Sequence, residues 1–182
     1  MRIYTRRGDD GTTGLLYGGR IRKDAPVLDA CGTVDEAQAA LGLARAHAEP
    51  GAELDRLLVD LERDLWVLMA ELAAAPDHRH QLVAGKTLVS EDMVARLEPL
   101  IDDLTGRFQA PTEFVVPGQN ALSSYLDLAR TVVRRAERRA LAVVPEGSHV
   151  VPYLNRLSDL LWTMARWQED GYLPARPDEE DQ

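Results

Sequence analysis

The sequence predicts an all-α protein: one antiparallel bundle of five helices with short loops and an irregular N-terminal loop. Two observations support this class. Apolar residues recur at three- and four-residue steps in several separate stretches, as on the buried face of an α-helix. The sequence shows neither an alternation of strands with helices nor an internal repeat. With 182 residues, 45% of them hydrophobic, the chain is long enough to bury a substantial core in one domain.

A leucine stripe in "ELDRLLVDLERDLWVLMAELAAA", residues 53–75, predicts the most distinct helix. Steps of three and four residues place these leucines on one face of the helix. We interpret the stripe as core packing. Its members are Leu54, Leu58, Leu61, Leu65, Leu68 and Leu72.

Four further helices complete the predicted bundle. Ser90, followed by two acidic residues, has the position of an N-cap, and that helix ends near Gly106. Thr33 and Glu36 have capping-box spacing partway along the first helix, which leaves its start open. The expected bounds of the five helices are residues 26–47, 53–75, 90–106, 119–143 and 150–170.

One domain is expected over residues 1–173, followed by a disordered acidic tail over residues 174–182. Residues 112–118, "TEFVVPG", interrupt the helical pattern. Pro117 disfavours helical angles at Val116, so this stretch is predicted to be an extended link into the fourth helix.

The composition narrows the possible partners. A net charge of −9 disfavours nonspecific attraction to nucleic acid or to an anionic membrane. No apolar run approaches the ~20 residues of a membrane span, and the start lacks the layout of a secretory signal, so we expect a cytoplasmic protein.

The single Cys31 is expected to be a small buried residue. His78 and His80 lack a third ligand nearby and are expected to be exposed loop residues.

The opening stretch "TRRGDDGTTG", residues 5–14, is rich in glycine and threonine. Gly8, Gly11 and Gly14 allow positive φ and a close approach of the backbone to a ligand, and backbone N–H groups with threonine hydroxyls can surround phosphate oxygens. It is not a Walker A motif, because no Gly-Lys-Ser/Thr follows. On its own the composition fits either a flexible terminus or a phosphate-binding loop.

Arginines cluster on the fourth predicted helix, in "ARTVVRRAERRAL". Arg130, Arg134 and Arg138 share one face at four-residue spacing and repel one another, so they need anionic partners. Either carboxylates from elsewhere or a polyphosphate fits this need. Arg135 and Arg139 fall on a neighbouring face that we expect to be solvated. Glu137 has the spacing to pair with Arg134, and Arg156 has the spacing to pair with Asp159.

Asn155, in "PYLNRLSDLLW", is a poor residue for a helix interior unless its amide has a partner. It could cap, bond a neighbouring helix or bind a ligand edge, and spacing alone does not choose among these.

Several of these motifs occur together in an order that resembles the PduO-type ATP:cob(I)alamin adenosyltransferases. They are "IYTRRGDDGTTG", Lys23, "GTVDE", "FVVPG", "RTVVRRAERRA" and "YLNRLSDLLW", which together span nearly the whole chain. The sequence departs from the family pattern at Arg7, where threonine is common, and at Asp10, where lysine is common. It departs again after Gly118, where "QNALSSYL" replaces a glycine- and alanine-rich continuation.

The resemblance implies a five-helix bundle that forms a homotrimer, with ATP between neighbouring subunits and Mg²⁺ on the triphosphate. It also implies that Arg130, Arg134, Asp35 and Phe114 serve the reaction. Asp35 would pair with Arg130 across the subunit boundary. Phe114 would lie against the corrin and displace the lower axial ligand of cobalt. The implied nucleotide-binding residues are Thr5, Arg6, Arg7, Gly8, Thr13, Gly14, Lys23, Arg134, Arg135, Glu137, Arg138 and Asn155.

The implied activity is transfer of the 5'-deoxyadenosyl group of ATP to the cobalt of cob(I)alamin, giving adenosylcobalamin and triphosphate. A reductase and an adenosylcobalamin-dependent mutase are the implied protein partners. The alternative is an ATP-binding escort that mainly delivers adenosylcobalamin to the dependent enzyme. A nucleic-acid-binding bundle is disfavoured by the acidic balance and by the absence of aromatic residues between the arginines.

Overall fold

A computed structural model describes residues 3–176 of the chain. This part forms a mainly helical bundle with a short hairpin ahead of it. The bounds of its elements are β1 Thr12–Gly14, β2 Arg20–Arg22, α1 Pro26–Arg45, α2 Glu53–Leu72, α3 Glu91–Ala95, α4 Leu97–Thr105, α5 Ala121–Ala140 and α6 Val150–Trp167, with a 3-10 helix at Pro76–Gln81. None of the helices described is both long and apolar enough to cross a lipid bilayer.

The core lies between the four long helices. Helix α1 packs against α2 and α5, α5 packs against α6, and the short α4 closes the other side of α6. The leucine stripe of α2 is confirmed as core, because all six leucines are at most 5% exposed. Proline at the first turn starts α1 at the predicted residue. The Thr33 hydroxyl donates to the Asp29 carbonyl inside α1, so its capping-box spacing does not mark a helix start.

The predicted third helix is two short helices, α3 and α4, that meet at Arg96. Pro99 has no backbone N–H and cannot donate to the carbonyl of Ala95, so the hydrogen-bond ladder is interrupted there. The predicted N-cap is confirmed, since the Ser90 hydroxyl accepts from the backbone N–H of Met93 at 3.4 Å.

Part of the predicted irregular N-terminal loop is a two-stranded antiparallel sheet, with Thr13 opposite Ile21. Gly18 and Gly19, both at positive φ, form its turn, and the Leu15 N–H donates to the Gly19 carbonyl at 3.1 Å. Strands of three residues are too short to produce a recognisable alternation in the sequence.

The prediction of a disordered tail from residue 174 is wrong for residues 174–176. Pro174 lies opposite Val115 in an antiparallel bridge, and the Ala175 N–H donates to the Phe114 carbonyl at 2.7 Å. These backbone hydrogen bonds order the segment even though its side chains predict disorder. Residues 177–182 lie outside the described part of the chain.

Candidate functional site

Arg20 holds the N-terminal loop in a defined shape. Its guanidinium donates to the carbonyl of Arg7 at 2.6 Å and to the hydroxyl of Thr12 at 2.6 and 3.0 Å. Asp10 accepts from the backbone N–H and the hydroxyl of Thr12, and these hydrogen bonds, the backbone one first, lower the pKa of its carboxyl. Asp10, one of the departures from the family pattern, therefore shapes the loop from within.

Lys23 lies against this loop. Its backbone N–H donates to the Gly11 carbonyl at 2.9 Å, and a Cβ added at Gly8 would come within 2.9 Å of the Lys23 Nζ. A side chain at Gly8 would therefore displace the ammonium group of Lys23 from this position. The structure thus brings together Gly8 and Lys23, two of the residues predicted to bind the nucleotide. Thr5, Arg6 and Arg7 are exposed on the same loop, and Gly14 ends β1.

The arginines of α5 divide into two groups. Arg135 forms an ion pair with Glu36, and Arg139 pairs with Asp29 at 3.0 Å, so both are tied to α1. Both are exposed, as expected for a solvated face, and α1 also presents a carboxylate opposite each of them. Arg134 and Arg138 are exposed and form no ion pair with any residue between 3 and 176. Two neighbouring cations are therefore available to an anionic ligand.

Asn155, on α6, is held by Glu137 of α5 and by its neighbour Arg156. Its amide NH₂ donates to the Glu137 carboxylate at 3.0 Å, and its amide oxygen accepts from Arg156 at 2.7 Å. Arg156 pairs in turn with Glu98 at 2.9 Å and, as predicted, lies near Asp159, at 3.8 Å. The predicted pairing of Glu137 with Arg134 is absent from the described residues, because the Glu137 carboxylate faces Asn155 on α6. Of the three roles open to Asn155, the structure shows the bond to a neighbouring helix.

A cavity of about 760 Å³ opens beside the extended link. Phe114, which is 89% exposed, lies at this cavity, and Arg130 and Trp162 line it from the helices. Backbone hydrogen bonds to the 173–175 segment hold the link at the Phe114 carbonyl and at the Val116 N–H. The aromatic ring is therefore presented to solvent by a fixed backbone. Its neighbour Val116 is also exposed, and an apolar patch of this kind is expected where a ligand or a partner covers it.

Three charged side chains, Asp127, Arg130 and Arg166, line this cavity, and a fourth, Glu169, pairs with them from outside it. Asp127 accepts from Arg130 Nε at 3.0 Å and from Arg166 Nη2 at 2.7 Å, and Arg166 also pairs with Glu169 at 2.7 Å. Burial disfavours the charge of Arg166, but the hydrogen bonds to Glu169 and Asp127 outweigh it and raise the pKa of its guanidinium. Sequence reasoning missed this network. The signals were two three-residue spacings, of Asp127 with Arg130 and of Arg166 with Glu169.

Asp35 is exposed on α1 and forms no ion pair within residues 3–176. Its predicted partner, Arg130, uses Nε for Asp127, and its two Nη groups have no carboxylate partner among those same residues. Both members of the predicted pair thus retain capacity for a contact outside the chain.

The residues of the predicted nucleotide site fall into two groups. In the described part of the chain, no hydrogen bond or ion pair connects residues 5–14 with Arg134, Arg138 or Asn155. The loop with Lys23 forms one unit near the start of α1. The free arginines and Asn155 form another on α5 and α6.

The remaining candidate residues, two histidines and one cysteine, do not form a binding site with one another within the described residues. His78 is half-buried, against the prediction of an exposed residue, because it lies in the 3-10 helix with its ring 3.6 Å from a Cβ placed at Gly18. His80 is exposed, as predicted. Cys31 packs half-buried against the core, and burial, together with the nearby charge of Asp35, raises the pKa of its thiol. Among residues 3–176 no group of three or more His, Cys, Asp or Glu side chains could hold a metal ion.

Fold and site together define a helical-bundle protein with three features: a helix face with two unpaired arginines among the described residues, a threonine- and glycine-rich loop, and a large cavity beside one exposed aromatic ring. The chain belongs to the cobalamin adenosyltransferase family, whose model matches residues 3–168.

Its relatives agree on this assignment. The chain is 42% identical to a corrinoid adenosyltransferase of Mycobacterium tuberculosis, over 97% of this chain and 93% of the relative. It is also 42% identical to one from Citrobacter freundii, over 92% and 95% of the two chains. A variant of the PduO-type ATP:corrinoid adenosyltransferase from Lactobacillus reuteri, solved in complex with cobalamin and ATP, superposes with a TM-score of 0.86. That structure is 29% identical and covers 97% of this chain and 100% of its own.

Proposed function

We propose that the chain transfers the 5'-deoxyadenosyl group of ATP to the cobalt of cob(I)alamin, as a corrinoid adenosyltransferase. In this reaction an electron pair of cob(I)alamin forms the Co–C5' bond. The C5'–O bond breaks, and triphosphate leaves with its electron pair. The observation that carries the proposal is Phe114, an almost fully exposed aromatic ring held by a fixed backbone at a cavity of about 760 Å³. The substrate itself is the strong nucleophile, so the protein needs to supply alignment and charge stabilisation.

The triphosphate is proposed to lie between the N-terminal loop with Lys23 and the arginines of α5. Arg134 and Arg138 are the strongest candidates on α5, because neither is neutralised within the described residues. Arg135 contributes by sharing its guanidinium between Glu36 and the nucleotide. Lys23 adds a positive charge beside the loop N–H groups. Charge that accumulates on the leaving group is thereby stabilised in advance of the reaction.

Asn155 and Glu137 are proposed to orient the nucleoside end of ATP. Their mutual hydrogen bond fixes both polar groups at the edge of the arginine face. A carboxylate there would repel phosphate but accept hydrogen bonds from ribose hydroxyls. This pair therefore suits the sugar better than the triphosphate.

Mg²⁺ is proposed to enter as the complex with ATP. Magnesium commonly keeps several waters and is held largely by substrate phosphates, which fits a site without a carboxylate cluster among residues 3–176. When bound, it neutralises part of the triphosphate charge. The arginines and Lys23 supply the remainder.

The assembly is proposed to be a homotrimer with ATP at the subunit interfaces. The support is that no hydrogen bond or ion pair within residues 3–176 connects the loop, residues 5–14, with Arg134, Arg138 or Asn155. A neighbouring copy can bring one of these two groups against the other. The same contact would allow Asp35 to pair with the free Nη groups of Arg130 from the neighbouring subunit.

Phe114 is proposed to lie on the lower face of the corrin and to displace the axial ligand of cobalt. A cob(II)alamin without that ligand sheds no bond on gaining an electron, which makes its reduction easier.

Reduction of this kind needs an electron donor, and we propose a reductase as partner and an adenosylcobalamin-dependent mutase as recipient. Cob(I)alamin is readily oxidised and ATP is cytosolic, so the proposed location is the cytoplasm.

An anaerobic assay tests this function against the escort alternative. Purified chain is mixed with chemically reduced cob(I)alamin and MgATP, and adenosylcobalamin and triphosphate are measured over time. Steady formation of both, in equal amounts and well beyond one equivalent per subunit, supports the enzyme. A single equivalent that stays bound until a dependent mutase is added would identify the escort instead.

A further inference from the structure

We propose that Asp127 is a positioning residue for corrinoid binding, acting through Arg130. The inference rests on the proposed function, because the cavity that Arg130 lines is taken to be the corrinoid site. The resemblance assigns no role to Asp127, Arg166 or Glu169.

The two oxygens of Asp127 have different partners. Oδ1 accepts from Arg130 Nε at 3.0 Å, and Oδ2 accepts from Arg166 Nη2 at 2.7 Å. The Asp127 side chain is 6% exposed and that of Arg166 is 2% exposed, so both contacts are shielded from water. A carboxylate is the only side-chain group of this size that can accept at both oxygens.

The far side of Arg166 is fixed as well. Glu169 accepts from its Nε at 2.7 Å and from its Nη2 at 2.9 Å, which sets the plane of the guanidinium. Glu169 thus stabilises Arg166, whereas the contact to Arg130 is made by Asp127. The two carboxylates and two guanidinium groups balance in charge, so the network is complete only with Arg130 in it.

Arg130 is held by one edge. Asp127 occupies its Nε, and its Nη groups have no carboxylate partner within residues 3–176. The Arg130 side chain is 27% exposed and lines the same cavity as Phe114. A long flexible side chain that is anchored at Nε loses less entropy when its Nη groups bind a ligand or a neighbouring carboxylate. The anchor at Asp127 is therefore expected to increase affinity for the corrinoid without contacting it.

The substitution that tests the positioning role most specifically is Asp127→Asn. An asparagine has one oxygen and one NH₂, so it cannot accept from both arginines. The buried contact to Arg166 retains the oxygen, and the NH₂ then faces Arg130 Nε, which is also a donor. Arg130 keeps its charge but loses its anchor.

The experiment is a double-mutant cycle on corrinoid binding. The Kd for cob(II)alamin is measured in the presence of MgATP for wild type, Asp127→Asn, Arg130→Met and the double variant, together with the KM for ATP. We expect Asp127→Asn to weaken corrinoid affinity about tenfold, the effect of losing about one charge-assisted hydrogen bond, with less than about a twofold change in the KM for ATP. In the Arg130→Met background the same substitution should change corrinoid affinity less than about twofold.

Glu169→Gln is the matched control. It weakens the other carboxylate contact of Arg166 but leaves the Asp127–Arg130 contact in place. It should lower the melting temperature while leaving corrinoid affinity within about twofold of wild type. If Asp127→Asn fails to fold, Arg130→Lys replaces it: lysine keeps the charge but lacks the Nε edge, and the same tenfold loss is expected.

Equal effects of Asp127→Asn in the presence and absence of Arg130, or unchanged affinity in Asp127→Asn and Arg130→Lys, would overturn the positioning role. Failure of the proposed function would give another result. The wild-type chain would bind cob(II)alamin and the variants would show the coupling between Asp127 and Arg130, yet no adenosylcobalamin would form from cob(I)alamin and ATP. A wild-type chain that binds no corrinoid would overturn both.

Discussion

Replacing Phe114 with alanine should separate corrinoid chemistry from both folding and ATP binding. The side chain is 89% exposed, so only about a tenth of it is buried in the chain itself. Taking about 200 Å² for a phenylalanine and about 25 cal/mol per Å², the lost burial costs about 0.5 kcal/mol of folding free energy at most. A corrin face that covers half of the ring would instead bury about 100 Å², or about 2.5 kcal/mol.

A loss of about 2.5 kcal/mol of corrin contact corresponds to an about 60-fold loss in adenosylation that starts from cob(II)alamin, MgATP and a reductant. The assay follows adenosylcobalamin spectroscopically under anaerobic conditions, alongside the KM for ATP and the melting temperature, both of which should stay near wild type. Leu141→Ala is a suitable control, because Leu141 is also exposed, at 61%, and lies away from the cavity. An unchanged adenosylation rate in Phe114→Ala would refute the axial-ligand argument.

Three other substitutions probe the arginine face, the loop and the core. Arg134→Ala should reduce turnover at least about 100-fold without altering the oligomeric state seen by analytical ultracentrifugation. The control, Arg63→Ala at an exposed position of α2, should leave turnover unchanged. Near-normal turnover of Arg134→Ala would contradict the triphosphate role of Arg134. Arg20→Met should raise the KM for ATP about tenfold, because it frees Thr12 and the Arg7 carbonyl; an unaltered KM would mean that the loop shape is irrelevant to binding. Leu65→Ala should lower the free energy of unfolding by about 3–5 kcal/mol in denaturant titrations, and a loss below about 1 kcal/mol would contradict its core position.

The long helices can be predicted from the sequence because the spacing that places apolar residues on one face of a helix also decides which face is packed in the core. Leucines at three- and four-residue steps must face one side, and in the bundle they are buried there. Local exceptions followed from single residues whose effect depends on geometry: Pro99 divides one predicted helix, and backbone pairing orders residues 174–176.

The site was predictable only where its chemistry is local. The spacing of Arg134 and Arg138 on one face indicated cations in need of partners, and both remain unpaired within the described residues. Pairings between distant elements left no trace in the spacing. Arg135 with Glu36 is one example, and Asp127 with Arg166 is another. Such contacts depend on how α1, α5 and α6 pack, and this packing is set by the core, whose apolar pattern carries no information about charge pairs between helices.

The most direct test of the account is the anaerobic reaction of the purified chain with cob(I)alamin and MgATP, with both products quantified. The account predicts repeated turnover, with adenosylcobalamin and triphosphate formed in equal amounts. Formation of no adenosylcobalamin, or release of diphosphate or monophosphate as the first product in place of triphosphate, would contradict it.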